Sequence, residues 1–284
     1  MTVYVSTGGS TSKTATNVAW EYVRSGILAI ELTAGEIDND AVNSIRLLSK
    51  EANIILHNYY PPASNSIVLN IASENKNRLE ETFDFIKNSI QISHDLEIDT
   101  YGIHAGMKID LAPSDLGGKI TSQNSDFEFS FMNFVNNFRN LNDYAKKLGV
   151  KLLIENHVLN RETFENFGNI LCLTTFSEVN AFFVELELNS HLLLDVGHLN
   201  VSTKTLGLDR VNELSKLNLF AGGYQLSANS GLRDEHLCFD KSAWFLKLIN
   251  LKLNYITLEI GNNDLAAIIQ NYTWFTKYLK EQND

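Results

Sequence analysis

Short hydrophobic runs alternate with amphipathic segments along most of the chain. Each run reads as a buried β-strand, and the segment that follows it has helical spacing. The predicted strands are the runs 3–6, 27–32, 53–58, 100–106, 151–157, 192–199, 220–227 and 255–261. Predicted helices span about 38–50, 74–96, 127–148 and 177–188, with a first helix ending near Ser25 and a last one near Lys280.

Three local details refine this pattern. Ser10, Thr11 or Ser12 could cap the first helix, and Gly149 follows the 127–148 helix where a glycine commonly ends one. The run 170–175, ILCLTT, offers an extra strand inside the long connection after the fifth strand.

Strand-helix alternation predicts parallel strands, and their spacing of about 30 residues or more suits βαβ units. A doubly wound open sheet is the alternative, but the first strand-helix turn lacks a GxGxxG phosphate loop and no GKS/T motif occurs. The sequence therefore predicts an α/β fold, a (β/α)8 TIM barrel, with residues 1–284 as a single domain. No linker divides the chain, which contains only three prolines.

Composition narrows the class of function. The net charge of −11 provides no electrostatic footprint for polyanions, so a nucleic-acid partner is not favoured. Two cysteines cannot form a disulfide framework, and the first residues lack a signal-peptide pattern, so we expect a cytoplasmic protein. No apolar run reaches the length of about 20 residues that spans a bilayer.

Ligand-type side chains recur where the predicted strands end. Of the seven histidines, five lie at or just beyond strand ends, namely His57, His104, His157, His198 and His236. Glu155 and Glu259 end strands that are otherwise apolar, and a charge there is costly unless it is paired or bound to a cation. In the parallel barrel these positions share one rim, where active sites are built.

The run LLLDVGHL delivers Asp195 and His198 to that rim and allows two interpretations. They could be metal ligands, or Asp195 could cap the next helix while a backbone carbonyl satisfies His198. After the seventh strand, Asp234 and His236 alternate in a segment predicted to be extended, so their side chains would point the same way.

Seven segments in order, IEL, HNYYPP, IHAG, LLIEN, LLLDVGHL, RDEHL and LEI, resemble the xylose isomerase-like barrel superfamily. That superfamily includes sugar and sugar-phosphate isomerases and epimerases, together with the type-IV apurinic endonucleases of the AP endonuclease family 2. The resemblance implies one divalent cation held at the ends of strands five to eight, at positions that match Glu155, Asp195, Gln225 and Glu259. It also implies that Glu155 and Glu259 are the catalytic acid and base.

The endonuclease branch implies a larger site, a three-zinc cluster. Its additional ligands match His57, His104, His198, Asp234 and His236. The sequence departs from both branches at Gln225, where histidine is common, and so leaves an all-oxygen set that favours Mn or Mg over Zn. Ala228 and Ser230 also stand where many relatives carry aspartates.

The function expected from this resemblance is a metal-dependent isomerase or epimerase that acts on a small-molecule sugar or sugar phosphate by proton transfer through an enediolate. His198 and Arg233 would hold substrate oxygens, and the loop of Tyr59, Tyr60 and two prolines would form either an apolar wall or a rigid connection. The alternatives are an endonuclease IV-like phosphodiesterase at abasic DNA sites and a metal-free, non-catalytic barrel. The oligomeric state stays open.

Overall fold

Eight parallel strands close into a barrel in the order of the sequence. The computed structural model describes residues 2–8, 13–33, 35–63, 67–115, 129–261 and 264–283. The strands are β1 Thr2–Ser6, β2 Ala29–Leu32, β3 Asn53–His57, β4 Thr100–His104, β5 Lys151–Glu155, β6 Leu192–Asp195, β7 Ala221–Leu226 and β8 Tyr255–Leu258. The predicted (β/α)8 barrel is confirmed, because β8 also pairs in parallel with β1.

Nine α-helices lie in the described part of the chain and surround the barrel. They are α1 Ala15–Arg24, α2 Ala41–Leu48, α3 Lys76–Asp95, α4 Phe131–Lys147, α5 Arg161–Phe167, α6 Phe176–Leu186, α7 Val196–Leu206, α8 Arg210–Leu217 and α9 Leu265–Asn283. A short 3-10 helix at Pro113–Asp115 follows β4. None of these helices is long and apolar enough to cross a membrane.

Helix ends follow the capping chemistry of the sequence. The Thr14 hydroxyl caps α1, whereas the three predicted caps, Ser10, Thr11 and Ser12, lie outside the described residues. Ser130 caps α4, and the predicted start of this helix at residue 127 also lies outside them. Gly149 follows α4 with a φ of 74°, a left-handed conformation that favours glycine.

Two connections differ from the sequence prediction. The segment between β7 and β8 contains turns and no α-helix. Side chains from outside the segment hold two of its backbone groups: the Asn218 amide donates to the Leu248 carbonyl, and the Asn250 N–H donates to the Tyr224 hydroxyl. The predicted extra strand at 170–175 is reduced to a single antiparallel bridge between Leu171 and Met107.

Strand alternation separates two apolar layers. Leu152 and Ile154 of β5 join the large cluster beneath the helices, whereas Leu153 belongs to a small cluster inside the barrel with Ile55, Leu193 and Tyr255. Because side chains alternate along a strand, the residue two positions after each interior residue also faces the barrel axis. This period places His57, Glu155, Asp195 and Thr257 above the interior cluster.

Candidate metal centre

Glu155 lies at the centre of a group of polar side chains at the rim of the barrel, above the small apolar cluster inside it. Its side chain is 2 % exposed, and three imidazoles surround it: His57 Nε2 at 2.8 Å and His104 Nε2 at 3.4 Å from Oε2, and His198 Nδ1 at 2.8 Å from Oε1. Burial alone would raise the pKa of Glu155, but these histidines hold the pKa well below its usual range. Glu155 is therefore a carboxylate in the folded protein.

Two groups of three side chains at this rim have ligand atoms within 4.8 Å of one another. The first is His57, His104 and Glu155, and the second is Glu155, Asp195 and His198. Both groups share Glu155, so the described residues offer two adjacent cation positions bridged by one carboxylate.

Local packing fixes the His57 ring in the first group. A Cβ at Gly102 would lie 2.6 Å from His57 Cδ2, so only glycine leaves room for the ring there. Thr33 Oγ1 lies 3.4 Å from His57 Nδ1 and donates to the Asn58 carbonyl, which leaves the hydroxyl oxygen to accept from the ring. This contact turns Nε2 towards Glu155.

Burial and the neighbouring carboxylates shift the pKa values of these imidazoles in opposite directions. Burial lowers the pKa of His57, but the hydrogen bond to Glu155 and the nearby Glu31 carboxylate outweigh it and raise the pKa. At His104, whose side chain is 35 % exposed, desolvation by the surrounding protein and the neighbouring imidazoles lower the pKa to about 3. A neutral His104 keeps a ring lone pair that can bind a cation.

Asp195 caps the next helix, as the structural interpretation of its motif predicts, and it also keeps one oxygen available for a ligand. Its Oδ1 accepts from the His198 N–H and caps α7, while the buried Oδ2 has no hydrogen-bond partner among the described residues. Burial, together with Asp234 and Glu155, raises the pKa of Asp195 to about 6. One oxygen therefore serves the fold and the other remains free for a ligand.

His198 has two contacts besides Glu155. The Asn156 carbonyl lies 2.8 Å from Nδ1, as the structural interpretation requires, and Asp234 Oδ2 lies 3.0 Å from Nε2. Burial lowers the pKa of His198, but Asp195, Asp234 and Glu155 outweigh it and raise the pKa well above its usual value.

Gln225 and Glu259 each present a buried oxygen without a partner. Gln225 Oε1 and Glu259 Oε2, like Asp195 Oδ2, have no hydrogen-bond partner in the described part of the chain. Burial and the charges of Asp195, Glu155 and Glu31 raise the pKa of Glu259 well above its usual range. Glu259 belongs to neither of the two groups within 4.8 Å, although the charges of Glu155 and Asp195 act on it.

Unpartnered buried acceptors are costly in a folded protein, and a cation is the species that satisfies several of them at once. Asp195 Oδ2, Gln225 Oε1 and Glu259 Oε2 are such acceptors at the rim that also carries Glu155. Of the two acidic residues among them, Asp195 is grouped with Glu155 within 4.8 Å and Glu259 is not. The donor set therefore fits a divalent ion, and all four of its predicted members supply oxygen.

A second polar cluster flanks His198. Asp234 Oδ2 lies 2.9 Å from His236 Nε2, and His198 contacts the same oxygen. Burial would raise the pKa of Asp234, but the two imidazoles lower it; burial would lower the pKa of His236, but Asp234 raises it. Asp234 Oδ1 and His236 Nδ1 are buried and have no partner among the described residues.

The backbone conformation that brings Asp234 and His236 into contact differs from the predicted one. The backbone of His236 is left-handed, with a φ of 46°, rather than extended, and the Gly261 N–H donates to its carbonyl. Arg233, which was predicted to bind substrate oxygens, is exposed to solvent. Asp234 and His236 therefore meet because the loop folds back, not because a strand alternates.

Sequence reasoning missed Glu31 as a site residue. Glu31 faces the barrel interior from β2, is fully buried, and its carboxylate accepts from Gln225, Tyr255 and Thr257. The available signal was a glutamate at an inward position of an apolar strand. His157, also placed at the rim, donates from Nε2 to the Ala105 carbonyl at 2.7 Å.

The loop after β3 contributes one side of the rim. The ring of Tyr59 stands edge-on to His104, with centroids 6.1 Å apart, while Tyr60 is buried and precedes a cis peptide bond to Pro61. Tyr59 therefore borders the site, and Tyr60 belongs to the core beneath it.

Comparison with known proteins gives a family match and structural neighbours. The sequence model of the family described as "Xylose isomerase-like TIM barrel" matches residues 21–278. No curated protein matches the sequence.

Three solved structures illustrate the likeness of fold. A D-tagatose 3-epimerase-like protein superposes with a TM-score of 0.71 at 18% identity, covering 100% of this chain and 98% of that one. A D-psicose 3-epimerase studied in the presence of D-fructose gives 0.64 at 17% identity, covering 98% and 99%. The IOLI protein with a binding zinc atom gives 0.64 at 12% identity, covering 98% of each chain.

Proposed function

Because the chain belongs to the xylose isomerase-like TIM barrel family, we propose that it is a divalent metal-dependent isomerase or epimerase of a small sugar or sugar phosphate. One observation carries this proposal: Asp195, Gln225 and Glu259 each bring to the barrel rim that carries Glu155 a buried oxygen with no hydrogen-bond partner among the described residues. The two epimerases of like fold act on ketoses by their names, which supports a sugar as substrate.

The cation would be held by Glu155, Asp195, Gln225 and Glu259. An amide oxygen and three carboxylates are hard donors, so Mn²⁺ or Mg²⁺ is favoured and Zn²⁺ is the alternative. A bound divalent ion supplies Lewis acidity, which lowers the pKa of the C–H beside a substrate carbonyl.

Proton transfer is assigned to the two glutamates. Glu155 ends β5 and Glu259 follows β8 directly, and these two strands are separated by β6 and β7 in the closed barrel. Each carboxyl has two oxygens, so one can face the cation while the other takes or returns a proton at the substrate carbon. Both outcomes pass through an enediolate: return of the proton to the same carbon on the opposite face yields an epimer, and return to the neighbouring carbon yields an isomer.

Imidazoles orient these carboxylates and the substrate. His57 and His198 hold Glu155 from both of its oxygens, which keeps the carboxylate in one rotamer. His198 also binds Asp234, so a substrate hydroxyl at this edge would meet a polarised imidazole. Arg233 lies at the exposed side of the loop, where it could reach a charged substituent such as a phosphate.

A second function is favoured by a specific feature of the site. The His57–His104–Glu155 group offers a cation position beside the central one, and Asp234 with His198 and His236 adds ligand-type side chains next to it. Three adjacent metals suit phosphodiester hydrolysis at abasic sites in DNA. The amide at Gln225 and the net charge of −11 weigh against it.

The test combines metal content with proton exchange. We expect the purified wild type to contain close to one equivalent of Mn or Mg and to exchange a substrate proton with deuterated water on at least one member of a ketose and ketose-phosphate panel. Glu155→Gln and Glu259→Gln should each abolish that exchange. Glu185→Gln, a matched change on the exposed surface of α6, should leave it intact.

The opposing outcomes are equally specific. About three zinc ions with cleavage of abasic DNA would replace the isomerase by the phosphodiesterase. Unchanged proton exchange in both glutamine variants would refute the acid and base roles.

A further inference from the structure

The Gln225 amide has a choice of orientation that decides which atom faces the proposed cation. Rotation by half a turn about its last bond exchanges the carbonyl oxygen for the NH2 group. An oxygen is a metal ligand, whereas an NH2 group repels a cation. Some neighbouring group must therefore select one orientation.

Glu31 is the residue that lies behind the amide. Gln225 Nε2 donates to Glu31 Oε1 at 3.1 Å, while Gln225 Oε1 has no hydrogen-bond partner among the described residues. Both side chains are fully buried, so no solvent competes for this contact. The reverse orientation would set the amide oxygen against a carboxylate oxygen, which is repulsive.

Glu31 is itself held from its other side. Tyr255 and Thr257 of β8 both donate their hydroxyl hydrogens to Glu31 Oε2, with the Thr257 contact at 3.1 Å. Because three groups donate hydrogen bonds to its carboxylate, Glu31 acts only as an acceptor. Its position is thereby fixed by β8, and its remaining acceptor faces Gln225.

We propose that Glu31 is a positioning residue which, by holding the Gln225 NH2 group, forces the amide oxygen towards the cation and makes the site an all-oxygen one. This inference rests on the proposed metal-dependent function and deepens it. Glu31 acts through Gln225 and does not bind the cation. The choice of donor atom is thus made by the pair of residues on β2 and β7, not by Gln225 alone.

The test measures Mn²⁺ affinity of the metal-stripped full-length protein by calorimetry, a readout independent of turnover. Glu31→Gln can offer its own NH2 group to position 225, which removes the preference for the productive orientation. Removing an outer-shell partner of a metal ligand costs about 10- to 100-fold in affinity, so we expect a loss in that range.

A reciprocal exchange distinguishes orientation from packing. In Glu31→Gln/Gln225→Glu the carboxylate stands at position 225, accepts from the new amide, and offers an oxygen to the cation in either orientation. Net charge is unchanged, and we expect affinity to return to within about threefold of the wild type. Glu185→Gln is the matched control, because it makes the same carboxylate-to-amide change on the exposed surface of α6, and it should change affinity less than about threefold.

A measurement on the unmodified protein covers the case in which Glu31→Gln does not fold. With glutamine labelled in its side chain with ¹³C and ¹⁵N, the Gln225 NH2 protons should exchange slowly with solvent, and Mg²⁺ should shift its carbonyl carbon. Rapid NH2 exchange, or no carbonyl shift at saturating Mg²⁺, overturns the inference.

The two proposals fail separately. Unchanged Mn²⁺ affinity in Glu31→Gln, or an exchanged pair that binds as weakly as the single variant, overturns the role of Glu31 alone. Wild-type protein that binds Mn²⁺ in the expected manner but exchanges no proton on any sugar overturns the isomerase alone.

Discussion

Replacing Asp195 with asparagine should stabilise the metal-free protein and remove its response to metal. Asp195 Oδ1 caps α7, and asparagine caps helices as well as aspartate does, so the cap is retained. What the substitution removes is a buried carboxylate whose Oδ2 has no partner among the described residues.

The magnitude follows from the pKa. Burial, with Asp234 and Glu155, raises the pKa of Asp195 from 3.8 to about 6, and this value already includes the opposing attraction of His198. At about 1.4 kcal/mol for each tenfold change in proton affinity, the free energy of unfolding at pH 7 is lower by about 3 kcal/mol. Asp195→Asn should recover that amount, which corresponds to a rise in Tm of about 6 °C.

The direction of the pKa shift of Asp195 determines the pH range in which the substitution changes stability. The folded protein binds the Asp195 proton more tightly than the unfolded chain does, so this contribution is fully favourable below about pH 4 and is lost as pH rises through about 6. The advantage of Asp195→Asn should therefore be absent near pH 4 and complete by about pH 7. With Mn²⁺ at a hundredfold excess over Kd, the wild type should gain about 2.7 kcal/mol and the variant nothing.

Thermal unfolding by circular dichroism across this pH range is the assay. Asp209→Asn is the control, because Asp209 also caps a helix, α8, but is exposed, and the change should shift Tm little at any pH. A metal-free Asp195→Asn protein that is less stable than the wild type at pH 7 would refute the reasoning, as would an equal Mn²⁺ response in both proteins.

Two further predictions concern the cation. Since the pKa values of Asp195 and Glu259 are raised, protons compete with the ion, and Mn²⁺ affinity measured by calorimetry should increase with pH through about 6; a flat profile would contradict those shifts. Gln225→His should improve Zn²⁺ affinity relative to Mn²⁺ by at least about tenfold in competition titrations, since imidazole is the softer donor and Glu31 can accept its N–H; an unchanged ratio would count against an all-oxygen site.

The alternation of apolar residues was sufficient to predict the barrel and the rim. Runs such as 151–155 place every second side chain inside, so a carboxylate or imidazole at the strand end reaches the axis without long-range information. The same logic does not extend to loops. The left-handed turn at His236 and the missing helix before β8 depend on tertiary contacts with Gly261, Tyr224 and Asn218.

Glu31 shows why part of the site could not be predicted from the sequence. Its partners Gln225, Tyr255 and Thr257 are 194, 224 and 226 positions away along the chain. Only closure of the barrel, with β8 pairing to β1, brings them together. Asp195 illustrates a different limit, because one of its oxygens caps α7 and the other has no partner among the described residues, so its motif does not choose between the two interpretations.

Anomalous diffraction from crystals of the wild type grown with Mn²⁺ tests the central claim most directly. We expect a peak in contact, at about 2.0–2.5 Å, with oxygens of Glu155, Asp195, Gln225 and Glu259. A saturated crystal with no peak touching these four oxygens, or with a peak bound by His57 and His104 while Gln225 and Glu259 stay apart from it, would contradict the account.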